Sequence, residues 1–489
     1  MKKIIAKVLL AILLLITFQP VDANAASISN KSQTIQAAKE TTSDRKNNVS
    51  WPAGPSSKSL SADSAIVMDA DTGLILYSKN MDKKHYPASI TKILTTLLCI
   101  ENSSLDEDVT FKESEVLNLE YGASNIGTQP GEVLTMEQCL YAIMMESANE
   151  VCLGVADHIS GTISDFATLM NNRAKELGCK NTHFTNPNGL HDDDHYTTAY
   201  DMALISREAL QNDIFRKVTS TKTMYLPKTN KSKKRFIRNH HNMLHSYTTS
   251  QYVYEDCVGG KTGFTSAAQC TLVTFAERNG MTLICVVMRA TSPKQSTTKN
   301  EYTDTAKLLD FGFENYEAHN LAAASATADD EEAPLFTSFN TMFDKTTAPL
   351  QMSNNGKIVL PVGVNVGKAD QNITFYDAPQ TEEEQQVIGT VSYTYGNKNV
   401  GTTNIYFTPD ENREELTTSE DINFTESTHI AGQTNYKTTI ILRIVLAVVV
   451  ILLIAFLIFF FFILKRRKEL SDRRNNYIGG RKKRKDLHF

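Results

Sequence analysis

The sequence predicts a mixed α/β (α+β) body with a smaller all-β region behind it. Three observations carry this. Short β-type runs at 64–77 and 258–288 enclose a stretch dominated by helical periodicity. A second block of β-type runs fills 346–410. Apolar segments near both termini fall outside either pattern.

At 489 residues the chain holds two or more domains. Residues 1–25 read as a signal peptide. Lys2, Lys3 and Lys7 precede an apolar run at 8–18, and Ala23-Asn24-Ala25 closes it with small residues. Residues 26–59, rich in Ser, Thr, Lys, Asn and Gln, read as a flexible linker.

The main domain is expected at 60–318. It opens with strand 64–69, the turn Asp71-Thr72-Gly73 and a second strand at 74–77. A helix follows from Ser89, with Ile93, Leu94, Leu97 and Leu98 on one face. Residues 134–160 form two helical pieces broken at Ser147-Ala148-Asn149, and 164–177 ends at the C-capping Gly178. Asn186-Pro187-Asn188-Gly189 is a turn and 198–211 a helix. Strands follow at 258–263, 271–277 and 282–288, the last two joined by an Asn279-Gly280 hairpin turn. A helix at 302–311 closes the domain.

An Ala- and acid-rich linker covers 319–345, a small β-rich domain 346–410 and a polar stalk 411–440. Residues 441–464 are expected to form a transmembrane helix. The run 444–464 carries no charge and is long enough to cross about 30 Å of hydrocarbon. The basic tail, 465–489, starts with Lys465-Arg466-Arg467-Lys468. That places it in the cytoplasm, against anionic headgroups, with the body outside.

The formal charge is −5, although the tail and the leader are each net positive. The body between them is therefore strongly acidic, which argues against nucleic acid or any other polyanion as a partner. There are seven cysteines, an odd number, so at least one thiol is free. None forms C-x-x-C, and most sit in apolar surroundings, as small core residues do. His183, His191, His195, His240 and His241 fit no standard metal spacing. No metal or cofactor is expected.

Three short words carry chemistry: Ser89-Ile90-Thr91-Lys92, Ser147-Ala148-Asn149 and Lys261-Thr262-Gly263. A serine hydroxyl attacks only once something takes its proton. Helical spacing puts Lys92 on the same face as Ser89. Its amine serves as a base if burial and a nearby cation, here Lys261, lower its pKa. Gly259, Gly260 and Gly263 clear one strand of side chains so that a peptide can pair along it.

Singly, these words are weak. S-x-x-K arises about twice by chance at average composition in a chain this long. Ser43 with Lys46 and Ser296 with Lys299 are such decoys. K-T-G occurs once, where chance gives roughly one tenth of an instance. The ordered set is the signal.

The extended runs Tyr86-Pro87-Ala88-Ser89-Ile90-Thr91-Lys92, Asn186-Pro187-Asn188-Gly189-Leu190, Tyr196-Thr197-Thr198-Ala199-Tyr200-Asp201-Met202-Ala203 and Gly260-Lys261-Thr262-Gly263-Phe264-Thr265 resemble the D-alanyl-D-alanine carboxypeptidases among the low-molecular-mass penicillin-binding proteins. The resemblance spans about residues 60–315. It implies a β-lactamase/transpeptidase-like antiparallel sheet with flanking helices and a helical subdomain.

It also implies roles. Ser89 attacks the bond between two terminal D-alanines of a peptidoglycan stem peptide, Lys92 is the base and Ser147 relays the proton. Asn149, Lys261, Thr262, Gly263 and Phe264 bind substrate, with the N–H groups of Ser89 and Phe264 as the oxyanion hole. β-Lactams are the implied inhibitors.

Two departures stand out. The family usually has Ala-Gly where this chain has Ala268-Gln269, and its carboxylate-binding arginine aligns poorly, leaving Arg289, Lys294 and Lys299 as candidates. Two rival readings share part of the pattern. A class A β-lactamase usually has Asp where Ala148 stands, and a catalytically inactive wall-binding scaffold would not need the complete set of words.

Overall fold

Alternation along five strands sorts their side chains to two faces. The chain is described by a computed structural model over residues 34–35, 50–291, 298–321, 350–353, 356–382 and 385–407. The strands β1 (Ser64–Asp69), β2 (Ile75–Lys79), β3 (Cys257–Thr265), β4 (Gln269–Arg278) and β5 (Met281–Ala290) form one antiparallel sheet in the order β2-β1-β5-β4-β3. Ile66, Met68, Val273, Phe275, Ile284 and Val286 point to one core, and Val67, Leu272, Ala276, Leu283, Cys285 and Val287 to another. Neither face is left to water.

The first core is closed by helices α1 (Lys92–Asn102), α2 (Met136–Met145), α3 (Asn149–Ser160), α4 (Ile163–Glu176), α5 (Ala199–Ala209) and α6 (Asp213–Ser220). Thr135, Thr162, Thr198 and Asn212 cap α2, α4, α5 and α6 through their side chains. The second core is closed by α7 (Asn300–Asn315) through Leu308, Leu309 and Phe311. The Asn279-Gly280 turn has φ of 51° and 77°, the two left-handed residues that a tight hairpin needs.

Several elements have no counterpart in the sequence reading, among them helix α6, the short helix Glu113–Leu117, the strand pair Asp108–Thr110 with Val133–Thr135, and a hairpin of Thr223–Leu226 with Arg235–Arg238. At the other end, described structure includes part of the expected 26–59 linker. Trp51 lies 5.5 Å from the Tyr395 ring and 6.3 Å from that of Tyr316.

The β-type runs at 346–410 do form strands. These are β7 (Leu350–Met352), β8 (Lys357–Pro361), β9 (Asp370–Glu382), β10 (Gln385–Tyr395) and β11 (Lys398–Phe407). They pack onto the main body, and all described residues fall in one compact unit, Met1–Glu411. Strand β6 (Tyr316–Asn320) crosses the expected boundary at 318 and pairs with β8, while Ile358, Val391 and Tyr393 join the second core. Residues 319–320 of the expected linker therefore belong to a paired strand, and residues 322–345 lie outside the described residues. Among the described residues no helix is long and apolar enough to cross a membrane. The segments 1–25, 411–440, 441–464 and 465–489 lie outside the described residues.

Candidate active site

Ser89 stands in a single 3₁₀ turn, Ala88–Thr91, and not in the α-helix that the sequence suggested. The difference favours the chemistry, since side chains three apart eclipse one another in a 3₁₀ turn. Lys92 Nζ lies 3.0 Å from Ser89 Oγ. Two further groups fix the amine: Asn149 Oδ1 accepts from it at 2.9 Å and the Asn188 carbonyl at 2.5 Å.

Lys92 is fully buried, and burial pulls its pKa down to about 8. The expected lowering by Lys261 is not the cause. Lys261 is itself buried and held well below its ordinary range, by burial first and by the Lys92 charge second. Its Nζ donates to the Thr262 carbonyl at 2.9 Å. Lys261 therefore lies beneath the cleft floor rather than on it, and among the described residues it does not line the cleft.

The turn carrying Ser89 is gripped from two sides. On one, Gly189 has φ +80°, and a Cβ there would sit 1.9 Å from the Ala88 carbonyl oxygen. Only glycine lets the Asn186-Pro187-Asn188-Gly189 turn approach closely enough to present the Asn188 carbonyl to Lys92. On the other, Thr271 Oγ1 of β4 donates to the Pro87 carbonyl at 2.8 Å. A Cβ on Gly263 would lie 2.3 Å from Thr271 Oγ1 and 2.9 Å from the Ser89 nitrogen. The Lys261-Thr262-Gly263 strand is thus pressed against the Ser89 amide.

Ser147 has a left-handed backbone, φ 58°, in the break between α2 and α3. Strain of this kind gathers at functional sites. Its buried Oγ has no hydrogen-bond partner among the described residues. The side chain of Asn149 donates to the Ser124 carbonyl at 2.9 Å, and Glu150 accepts from the Ile126 N–H at 2.8 Å and from Thr128 Oγ1 at 3.1 Å. The second word therefore also pins the loop over one rim of the cleft.

Ser89, Ser147, Asn149, Thr262, Gly263 and Phe264 all line one cleft of about 800 Å³. Of the predicted site residues only the two lysines stay below its surface. Phe264 is 65% exposed at the strand edge. His240, Tyr247, Lys299, Glu301 and Tyr302 line the same cleft. Of the three cations left open for a substrate carboxylate, Lys299 lines this cleft. Arg289 lines a different pocket with Lys84 and Tyr86, and Lys294 lies outside the described residues.

The buried histidines brace the site. The Thr185 N–H donates to His195 Nδ1 at 3.1 Å, so Nε2–H faces Thr91 Oγ1 at 2.9 Å. His241 Nε2 lies 3.1 Å from the Val273 carbonyl. Burial lowers their pKa values to about 3 and about 4, which keeps both neutral.

Comparison with known proteins agrees with this geometry. Residues 51–292 match the peptidase S11 family, described as D-alanyl-D-alanine carboxypeptidase. The D-alanyl-D-alanine carboxypeptidase DacF of Bacillus subtilis is 37% identical over 270 residues, 54% of this chain and 66% of that relative's length. DacB2 of Mycobacterium tuberculosis is 30% identical over 267 residues, 54% of this chain and 84% of the relative. The crystal structure of penicillin-binding protein 5 from Haemophilus influenzae matches with a TM-score of 0.54 and 25% identity, over 74% of this chain and 99% of that one.

Proposed function

The chain belongs to the D-alanyl-D-alanine carboxypeptidase family of serine peptidases, whose reaction removes the terminal D-alanine of peptidoglycan stem pentapeptides, and on that premise we propose that its acyl-enzyme forms on Ser89. The observation that carries the assignment is the 3.0 Å approach of a fully buried Lys92 amine to Ser89 Oγ.

The neutral fraction of Lys92 takes the Ser89 proton as Oγ attacks the D-Ala-D-Ala carbonyl. The oxyanion forms between the N–H groups of Ser89 and Phe264, brought together because Gly263 has no side chain. Ser147 passes the proton to the leaving amine once substrate fills the cleft beside its unpartnered Oγ. Asn149 orients the substrate amide and Thr262 the terminal carboxylate. Lys261 supports the strand that receives that carboxylate, its amine donating to the Thr262 carbonyl. Water then releases the shortened peptide.

Incubation with a pentapeptide should yield the tetrapeptide by mass spectrometry. Penicillin should leave a long-lived adduct on Ser89 that is absent from Ser89→Ala. Rapid penicillin turnover would instead favour a β-lactamase, and no labelling at all an inactive scaffold.

We further propose an exported chain with a cleaved leader at 1–25, a span at 441–464 and a cytoplasmic tail at 465–489, supported by the basic-apolar-small leader pattern and the uncharged run at 444–464. The strands at 346–410 then serve as a spacer between cleft and membrane. The match to the Haemophilus structure supports their inclusion, since its 74% coverage exceeds what residues 51–292 supply. Membrane fractionation of the full chain beside a version ending at residue 410 tests the anchor.

A further inference from the structure

Net charge hides a segregated patch. Residues 222–238 contain seven lysines and arginines and no acidic residue. They form the hairpin of Thr223–Leu226 with Arg235–Arg238, and Lys222, Lys228, Lys231, Lys233, Lys234 and Arg238 are exposed on it. None of these six joins an ion pair among the described residues. Arg235 alone is used internally, against the fully buried Glu132 at 2.6 Å.

The platform is fixed in place. Thr229 Oγ1 donates to Glu132 at 2.7 Å, Asn230 Nδ2 to the Gly131 carbonyl at 2.8 Å, and the Val133 N–H to Asn230 Oδ1 at 2.9 Å. On its outer face Tyr225 and Phe236 pack with ring centres 5.0 Å apart, and Lys234 lies 4.0 Å over Tyr225. The inner residues Leu226 and Ile237 are buried. The face also continues to the cleft. Arg238 stacks on Tyr247 at 4.9 Å, its N–H donates to Glu146, and Glu146 pairs with His240, while Tyr247 and His240 both line the cleft.

We propose that this hairpin docks a linear phosphodiester polymer on the wall side, holding the cleft beside the meshwork that carries its substrate. Dense, unpaired cations on a pinned hairpin suit an extended polyanion, because the backbone that carries them need not be ordered on binding. A bilayer fits less well: the exposed aromatics are packed on each other and under Lys234, leaving no wedge to insert. The acidity of the body as a whole had pointed away from polyanions, and the correction is that charge acts over about one Debye length, near 8 Å in physiological salt.

The inference does not depend on turnover, so the test uses the full chain as Ser89→Ala as well as wild type. Titration with synthetic poly(glycerol phosphate) at low and physiological salt should show salt-sensitive binding. The combined Lys228→Gln, Lys231→Gln, Lys233→Gln and Lys234→Gln variant should bind about tenfold or more weakly, with a shallower salt slope. Its hydrolysis of a short soluble pentapeptide should match wild type. Equal polymer binding by that variant overturns the proposal. So does tighter binding to phosphatidylglycerol vesicles or to polyglutamate than to the polymer. Failure of Ser89 to acylate would sink the catalytic reading and leave this one standing.

Discussion

The two walls of the cleft do their work with different parts of the chain. The helical wall, Ser89 to Lys92 with Ser147 to Glu150, works through side chains whose ionisation is set by burial. The strand wall, Lys261 to Thr265, works through backbone that comes close because a side chain is missing. Damage to the first should cost chemistry, and damage to the second geometry. The comparison is sharpest at the lysines. Both are buried, but Lys92 has three polar contacts and points at the nucleophile, whereas Lys261 donates to the carbonyl next to it in the chain.

The largest effect is expected on the helical wall. Ser89→Ala removes the hydroxyl that Lys92 contacts, and kcat should fall by about 10³-fold or more with the fold intact by circular dichroism. Residual activity within tenfold of wild type would move the nucleophile elsewhere.

Lys92→Arg should cost nearly as much, since guanidinium does not deprotonate. In wild type, kcat/KM should rise with pH and reach half its limit near pH 8, where Lys92 titrates. The stability sign follows the same group. Its folded pKa of about 8 lies below the ordinary 10.5, so between those values the unfolded chain binds more protons. Lys92 should therefore make stability rise with pH across that window. A flat kcat/KM between pH 7 and 9 would contradict its role as base.

Next comes the strand wall. Gly263→Ala forces a methyl within 2.3 Å of Thr271 Oγ1 and 2.9 Å of the Ser89 nitrogen. The strand must shift by some tenths of an ångström, which separates the Ser89 and Phe264 N–H groups. A loss of about 10²-fold is expected from misplacement alone. It should leave the pH dependence set by Lys92 unchanged. If the apparent pKa moves as well, the two walls are not separable.

Legibility followed range along the chain. Ser89 and Lys92 are three apart, and Lys261 to Phe264 are consecutive, so local spacing exposed them. The break between α2 and α3 was legible because helical periodicity stops at Ser147. The Asn188 carbonyl, which holds the Lys92 amine from 96 residues away, left only a turn-forming Asn-Pro-Asn-Gly run as its trace. The grip of Glu150 on the Ile126 loop left none. The hairpin at 223–238 was missed because its period-two runs are four residues each and crowded by lysines. The strand pairing that crosses residue 318 left no local trace, since β6 pairs with β8, a partner about forty residues on.

The smallest expected effect tests why this chain departs from its family at Gln269. The residue closes the turn between β3 and β4, pairs with Thr265 and has φ 57°. A left-handed backbone costs a side-chain-bearing residue about 1–2 kcal/mol, while a glycine there loses about 0.5–1 kcal/mol through its greater freedom in the unfolded chain. Gln269 recovers little, as its Nε2 donates to the Ser266 carbonyl at an exposed site. Gln269→Gly should therefore stabilise the fold by about 0.5–1 kcal/mol, raising Tm by about 1–3 °C. Phe264 lies opposite Cys270, one pair inward from this turn. If the left-handed turn already sets that pair correctly, kcat should stay within about twofold. A destabilised variant, or one whose kcat falls tenfold, would mean that the glutamine side chain, and not the backbone conformation, holds the edge of the strand wall.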